Sequence, residues 1–136
     1  FEFLLSIPTT SPLRADKDIE RCLLKLINST ADCVTCVTTA HRNPYFNMVK
    51  IDKNENVQKV MQPEEDIFRR QDAPKVYDVT TVAFAARIKF IKSNSSIYDG
   101  VVKAIQVPVE RSIDIDTEYD LNLAELLHKN YNVTNE

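Results

Sequence analysis

The first forty residues, Phe1 to Ala40, read FEFLLSIPTTSPLRADKDIERCLLKLINSTADCVTCVTTA. FEFLLSI is an apolar run of strand length and predicts a buried strand, and PTTSPLRADKD after it supplies a turn and the polar start of a helix, with Asp16 or Asp18 near the helix N-terminus. Ile19, Cys22, Leu23, Leu26 and Ile27 then recur at helical spacing as far as Asn28. The β-branched run DCVTCVTTA makes a second strand. Strand, helix and strand in that order, with a connection long enough for a parallel pair, predict an α/β fold with a mixed, mostly parallel sheet.

Outward from this unit the texture changes. HRNPYFNMVKI and DKNENVQKV predict a hairpin, Tyr45 to Ile51 and Val57 to Met61, turning at Lys53 to Asn56. QPEEDIFRRQDAPK, with two prolines and many charges, reads as a surface loop. Tyr45, Phe46, Met48, Val60 and Phe68 are more apolar surface than an excursion over residues 39–82 can bury alone, which predicts a homodimer built on that segment. VYDVTTVAFAARI returns to strand, RIKFIKS predicts a short helix, and GVVKAIQVPV is a strand after the only glycine, Gly100. Leu121, Leu123, Ala124, Leu126 and Leu127 form a helical stripe over roughly residues 117–129.

The whole chain has 136 residues, 43% of them hydrophobic, which suits one domain with a real core. Its net charge of −3, with both signs interspersed, argues against nucleic acid or an anionic membrane as partner. No apolar stretch approaches the roughly 20 residues of a membrane helix, so the chain is expected to be soluble. Three cysteines without a signal-peptide pattern predict reduced thiols and a cytoplasmic location. Cys33-Val-Thr-Cys36 lacks a second pair of ligands and reads as buried strand cysteines rather than a metal or redox motif. Asn28, Asn94 and Asn132 head glycosylation sequons that matter only in a secreted protein. The chain starts with Phe1, inside a strand-like run and with no Gly-rich phosphate loop, so a missing N-terminal portion is expected.

Three places carry candidate chemistry. In VERSIDIDTEYDLNLAELL, Val109 to Leu127, a strand would send Ile113 and Ile115 into a core and leave Asp114 and Asp116 together on the other face. Two such carboxylates suit magnesium, which fills its other positions with water and phosphate oxygens, but Asp116 or Thr117 also reads as a helix cap through a Thr117-x-x-Asp120 box. Thr9, Thr10 and Ser11 follow the first strand at the end where open α/β sheets bind ligands, with Arg14 available to meet a phosphate or carboxylate; the same residues also suit a routine turn into a helix. Arg69, Arg70 and Gln71 suit an anionic substrate or a solvated loop. His41 and His128 are weak signals, and no serine, histidine and acid are spaced as a hydrolase triad.

Taken in order, IPTTSPLR, VTTAHRNPYFNMVK, FRRQD and ERSIDIDTEYDLNLAE resemble the acylneuraminate cytidylyltransferases, the CMP-sialic acid synthetases and their relatives acting on other nine-carbon 2-keto acids. The resemblance covers nearly the whole chain and corresponds to the C-terminal portion of such an enzyme. It implies a Rossmann-like nucleotidyltransferase fold, with residues 1–136 one partial domain and residues 39–82 a small dimerisation excursion. It implies CTP and a nonulosonic acid as substrates, CMP-sugar and pyrophosphate as products, and Mg2+ as cofactor. By motif, Asp114 and Asp116 match the magnesium-binding aspartates, Thr10, Ser11 and Arg14 the loop beside the substrates, Arg70 and Gln71 the segment approaching the acid sugar, and Asn47 lies in the excursion that reaches towards the neighbouring subunit's site.

Two places depart from the family pattern near its sugar pocket: Pro8 stands where many members have glutamine, and Thr80-Thr81 where many have Asn-Gly. A legionaminic-type acid is therefore as compatible as N-acetylneuraminate. The family's phosphate-holding loop has no counterpart, so this chain alone is expected to be inactive. The alternatives are a catalytically incomplete binding or dimerisation module of the same fold, and an enzyme resembling the CMP-3-deoxy-manno-octulosonate synthetases.

Overall fold

The computed structural model describes residues 1–62 and 67–134, and the side chains of 1–62 and 67–130. Among the described residues, six strands and three α-helices follow in the order β1 (Phe3–Ser6), α1 (Asp16–Ile27), β2 (Cys33–Thr39), β3 (Val49–Ile51), β4 (Val57–Lys59), β5 (Tyr77–Arg87), α2 (Ile88–Ser93), β6 (Val102–Gln106) and α3 (Glu118–Thr134). The chain divides into two compact units, Phe1–Thr38 with Val79–Glu136, and Thr39–Asp78.

The first unit is built on a four-stranded sheet in the order β1, β5, β2, β6. β2 lies inside it, and Cys33, Val34, Thr35, Cys36 and Thr38 are buried on both faces, as a central strand requires. β6 pairs parallel to β2, with Cys33 opposite Val102 and Val37 opposite Gln106. β5 runs antiparallel to β1, with Phe3 opposite Arg87 and Ser6 opposite Phe84. Against β2 it also runs in the opposite sense, since the Arg87 N–H donates to Asp32 O and the Thr80 hydroxyl to Cys36 O.

The α/β class and the mixed sheet are as expected, but the pairing is mostly antiparallel. β1 and β2 run the same way without touching, because β5 fills the gap between them. An antiparallel strand needs no crossover helix, so the chain returning from the second unit can insert there directly. β1 is consequently an edge strand, and Leu4 is 38% exposed rather than buried.

Helix α1 packs Cys22 and Leu26, with Ile19 partly buried, against a core that includes Val34, Cys36, Val82, Ala85 and Ile105. Ala15 at its N-cap has no side-chain acceptor, and the Asp18 carboxylate reaches back to the Ala15 N–H at 3.1 Å. At the other end the Arg87 guanidinium donates to the carbonyls of Leu26, Ser29 and Ala31, placing a cation where the helix dipole is negative, and it lies 5.4 Å over the Phe3 ring. Gly100 is required by space: a Cβ there would strike the Phe90 ring and lie 2.7 Å from Asp32 Oδ2, which accepts the Val101 N–H.

The second unit contains the β3–β4 hairpin, with Val49 opposite Lys59 and Ile51 opposite Val57. Its turn is held by Asp52, whose carboxylate accepts from Asn54 N–H and from both nitrogens of Asn56, while Glu55 adopts a left-handed φ of 65°. The expected first strand starts late, because residues 45–48 are gathered into a turn by Asn43, whose carbonyl accepts from the N–H groups of Phe46, Asn47 and Met48. Of the expected surface loop, residues 63–66 lie outside the described residues, and Arg70–Asp72 forms a 3-10 turn. Among the described residues no helix is long and apolar enough to cross a membrane.

Candidate functional site

The loop after β1 is shaped by its own polar residues. Arg14 donates from Nε to Ser11 O at 2.7 Å, from Nη1 to Val82 O at 2.9 Å and from Nη2 to Pro8 O, tying both ends of the loop to β5. Burial disfavours the charged guanidinium and lowers its pKa, with the Cys36 thiol acting the other way. Ser11 is fully buried, with its Oγ 2.5 Å from Thr81 Oγ1. Thr10 is half-buried. Of the residues read as substrate contacts, Arg14 and Ser11 thus already have partners that set the loop's shape.

The carboxylate segment meets this loop directly. After β6 the chain makes a 3-10 turn at Val109–Arg111 and then runs through residues 112–116 without joining a sheet, so the expected strand there does not form. Pro108 interrupts the ladder at its start, and further on the Ile115 N–H donates to Thr10 O at 2.9 Å. That bond brings the Thr10 and Asp114/Asp116 segments together.

The two readings of these aspartates now have separate residues to work with. The cap of α3 is made by Thr117 and Asp120: Asp120 Oδ2 accepts from the Thr117 hydroxyl at 2.7 Å and its N–H at 2.9 Å, and Asp120 N–H donates to Thr117 Oγ1 at 3.3 Å. The Thr117 hydroxyl is the main cause holding the Asp120 carboxyl below its ordinary value. Asp116 lends the cap only its backbone N–H, at 3.3 Å from Asp120 Oδ2, and its side chain is exposed. Asp114 is half-buried, and its Oδ1 is buried without a hydrogen-bond partner.

A buried, unpartnered carboxylate oxygen calls for a ligand of opposite charge. No group of three or more His, Cys, Asp or Glu side chains able to hold a metal forms among the described residues. Asp114 and Asp116 offer two carboxylates, a donor set that fits a cation such as magnesium only where water and substrate oxygens complete its shell.

The pairing of Asp18 with Arg111 is not legible in the sequence, which places Asp18 only near the start of a helix. The Arg111 guanidinium grips Asp18 with Nε to Oδ2 at 2.7 Å and Nη2 to Oδ1 at 2.8 Å, and Asp18 is fully buried. Burial is the largest single effect on this carboxyl and pushes its pKa up, but the bonds from Arg111 and the Ala15 N–H, with the charges of Arg111 and Arg21, outweigh it and leave it lowered. The partners are 93 residues apart, so no local pattern links them. Position alone is the signal, since one lies just after SPLR and the other just before SIDID.

On the second unit, Arg70 is exposed on its 3-10 turn and donates to His41 O at 2.7 Å, beside an exposed Gln71. Asn47 is half-buried, and its Oδ1 accepts the Asn43 N–H at 2.7 Å. The three cysteines are buried and free, as expected. Cys33 and Cys36 are three apart on a strand and so face opposite sides of the sheet, which prevents them from sharing a ligand. Cys22 packs on the Cys36 side, and its thiol is pushed up by hydrogen bonding with Cys36 and by burial.

No family model matches the chain. Among curated proteins it is 26% identical over 134 residues to the post-translational flagellin modification protein B of Campylobacter coli, covering 98% of this chain and 55% of that protein. It is 32% identical over 128 residues to the CMP-N,N'-diacetyllegionaminic acid synthase of Campylobacter jejuni, covering 93% of this chain and 53% of the synthase. The chain spans about half the length of these curated relatives. Among solved structures, the 4-diphosphocytidyl-2C-methyl-D-erythritol synthase of Anaerococcus prevotii superposes with a TM-score of 0.56 at 18% identity, over 94% of this chain and 59% of that one, which establishes likeness of fold. The resemblance read from the motifs is borne out by these relatives, and the α/β fold by the structural neighbour.

Proposed function

We propose that the protein carrying this chain transfers CMP from CTP to a nonulosonic acid, giving the CMP-acid sugar and pyrophosphate. The observation that carries the reading is the junction of Thr10 and Ile115, beside an Asp114 oxygen left buried without a partner. Similarity to a CMP-N,N'-diacetyllegionaminic acid synthase supports the same chemistry and favours a legionaminic-type acid.

In this reading the 2-hydroxyl of the acid sugar attacks the α-phosphorus of CTP. A new P–O bond forms as the bond from that phosphorus to the bridging oxygen breaks, pyrophosphate leaves, and the hydroxyl proton passes to solvent. Asp114 and Asp116 would hold Mg2+, which when bound neutralises charge on the phosphate oxygens. Thr10 lines the junction, while Ser11 and Arg14 keep the loop in shape. Arg70 would meet the sugar carboxylate with the guanidinium donors it does not spend on His41 O, with Gln71 next to it in the chain and Asn47 as a further polar contact to the substrate. Catalysis rests mainly on positioning.

A homodimer and a cytoplasmic location belong to the same proposal. A two-stranded hairpin is marginal by itself, and Ile51, Val57 and Phe68 on the second unit are 66%, 62% and 83% exposed; a second copy of the chain would cover them.

The test is turnover by the product of the complete reading frame with CTP, Mg2+ and a panel of legionaminic acid, N-acetylneuraminate and 3-deoxy-manno-octulosonate, read by product mass and pyrophosphate release. A CMP conjugate of a nine-carbon acid is expected. CTP binding without turnover on any acid would overturn the reading in favour of a binding module, and turnover on the eight-carbon acid alone would make it the other synthetase.

A further inference from the structure

We propose that Asp18 and Arg111 are a positioning pair for Asp114 and Asp116, fixing the segment that carries those carboxylates so that it can take a divalent cation. The inference rests on the cation role proposed above for the two aspartates. It starts from how little else holds them. Residues 112–116 join no sheet; Ser112 bonds only back to the 3-10 turn at Val109 O, Ile115 N–H reaches Thr10 O, and the Asp116 and Thr117 N–H groups meet the Asp120 carboxylate of the cap beyond. On the other side only Ser112 and Ile113 separate Arg111 from Asp114. At about 3.5 Å of reach per residue, fixing Arg111 confines Asp114 to a small region.

The pair is well suited to that task. Asp18 is fully buried at the third position of α1, and its Oδ2 also accepts the Ala15 N–H, so the carboxylate cannot swing to follow its partner. Arg111 meets it with two parallel bonds of 2.7 and 2.8 Å, a fork that fixes orientation as well as distance. Buried ion pairs are poor stabilisers compared with apolar packing of the same volume, whereas a directional contact between elements 93 residues apart in sequence gives register. Here that register relates the N-terminus of α1, which follows the Thr10 loop, to the segment bearing the aspartates.

The experiment measures Mn2+ alone, by electron paramagnetic resonance, on the product of the complete reading frame and its Arg111→Lys, Arg111→Met and Asp18→Asn variants, each held well below its unfolding midpoint. Disturbing residues that orient metal ligands typically weakens affinity by 10- to 100-fold, so a loss of at least about tenfold is expected in all three. The Mg2+ concentration for half-maximal turnover should rise in step, with KM for the acid sugar unchanged. Lysine keeps the charge and loses the fork, so it decides the matter if the methionine variant does not fold. Lower unfolding midpoints with unchanged Mn2+ affinity would overturn the proposal and leave the pair merely structural. Asp114→Asn and Asp116→Asn separate the two levels. If they abolish Mn2+ binding while Arg111→Lys leaves it intact, positioning alone fails; if they leave it intact, the cation role falls and the proposal with it.

Discussion

Ser11 Oγ and Thr81 Oγ1 lie 2.5 Å apart, joining the loop after β1 to the middle of β5, with Ser11 fully sealed from solvent. Removing one hydroxyl strands the other. Thr81→Val should cost about 1–3 kcal/mol, because fully buried Ser11 loses its partner, and Ser11→Ala should cost less, because Thr81 is only half-buried. The double variant should cost clearly less than the sum, and urea unfolding of the four proteins measures the coupling.

Acid should weaken the protein through Asp18. Its carboxyl is held below its unfolded value, so its contribution is complete above an unfolded pKa of about 3.9 and is lost as pH falls through the lower folded value. Between pH 6 and pH 3 the wild type should therefore lose stability more steeply than Asp18→Asn, which has no such proton to gain. Unfolding midpoints across that range test it; equal slopes would mean that other carboxyls dominate.

Gly100→Ala should destabilise by roughly 1–3 kcal/mol through overpacking. The new methyl meets the Phe90 ring on one side and Asp32 Oδ2 on the other, and Asp32 cannot retreat without releasing the Val101 N–H. A lower urea midpoint with an unchanged slope is the expected result.

Asp114→Asn and Asp116→Asn should each lower turnover by more than about 100-fold if they hold the cation. Neutralising Asp114 relieves a buried oxygen without a partner, so its thermal midpoint should hold or rise, whereas exposed Asp116 should change little. Turnover near that of the wild type in both would remove them from the site.

The short-range features were legible. Helix α1, the β3–β4 hairpin, the burial of all three cysteines and the Thr117–Asp120 box follow from spacing within a few residues. What escaped was pairing across long separations. Nothing near FEFLLSI says that β5, some eighty residues on, will stand between it and β2. Arg14 was read as a cation for a ligand because a sequence shows a donor without its acceptors, and three of those acceptors are the carbonyls of Pro8, Ser11 and Val82. The alternation in SIDID looked like a strand, but alternation creates no neighbour to pair with, and Pro108 withholds one at the start.

The second unit leaves the chain at Thr39 and returns at Asp78, and just inside those limits the Ala40 N–H bonds to Val76 O at 3.2 Å. The strands it interrupts, β2 and β5, are neighbours in one sheet, so topologically the unit is an elaborated hairpin loop. Such a cassette can be exchanged, lengthened or shed without rethreading the sheet. A two-residue Asn-Gly turn in its place would close the same hairpin while the strands beneath keep their order.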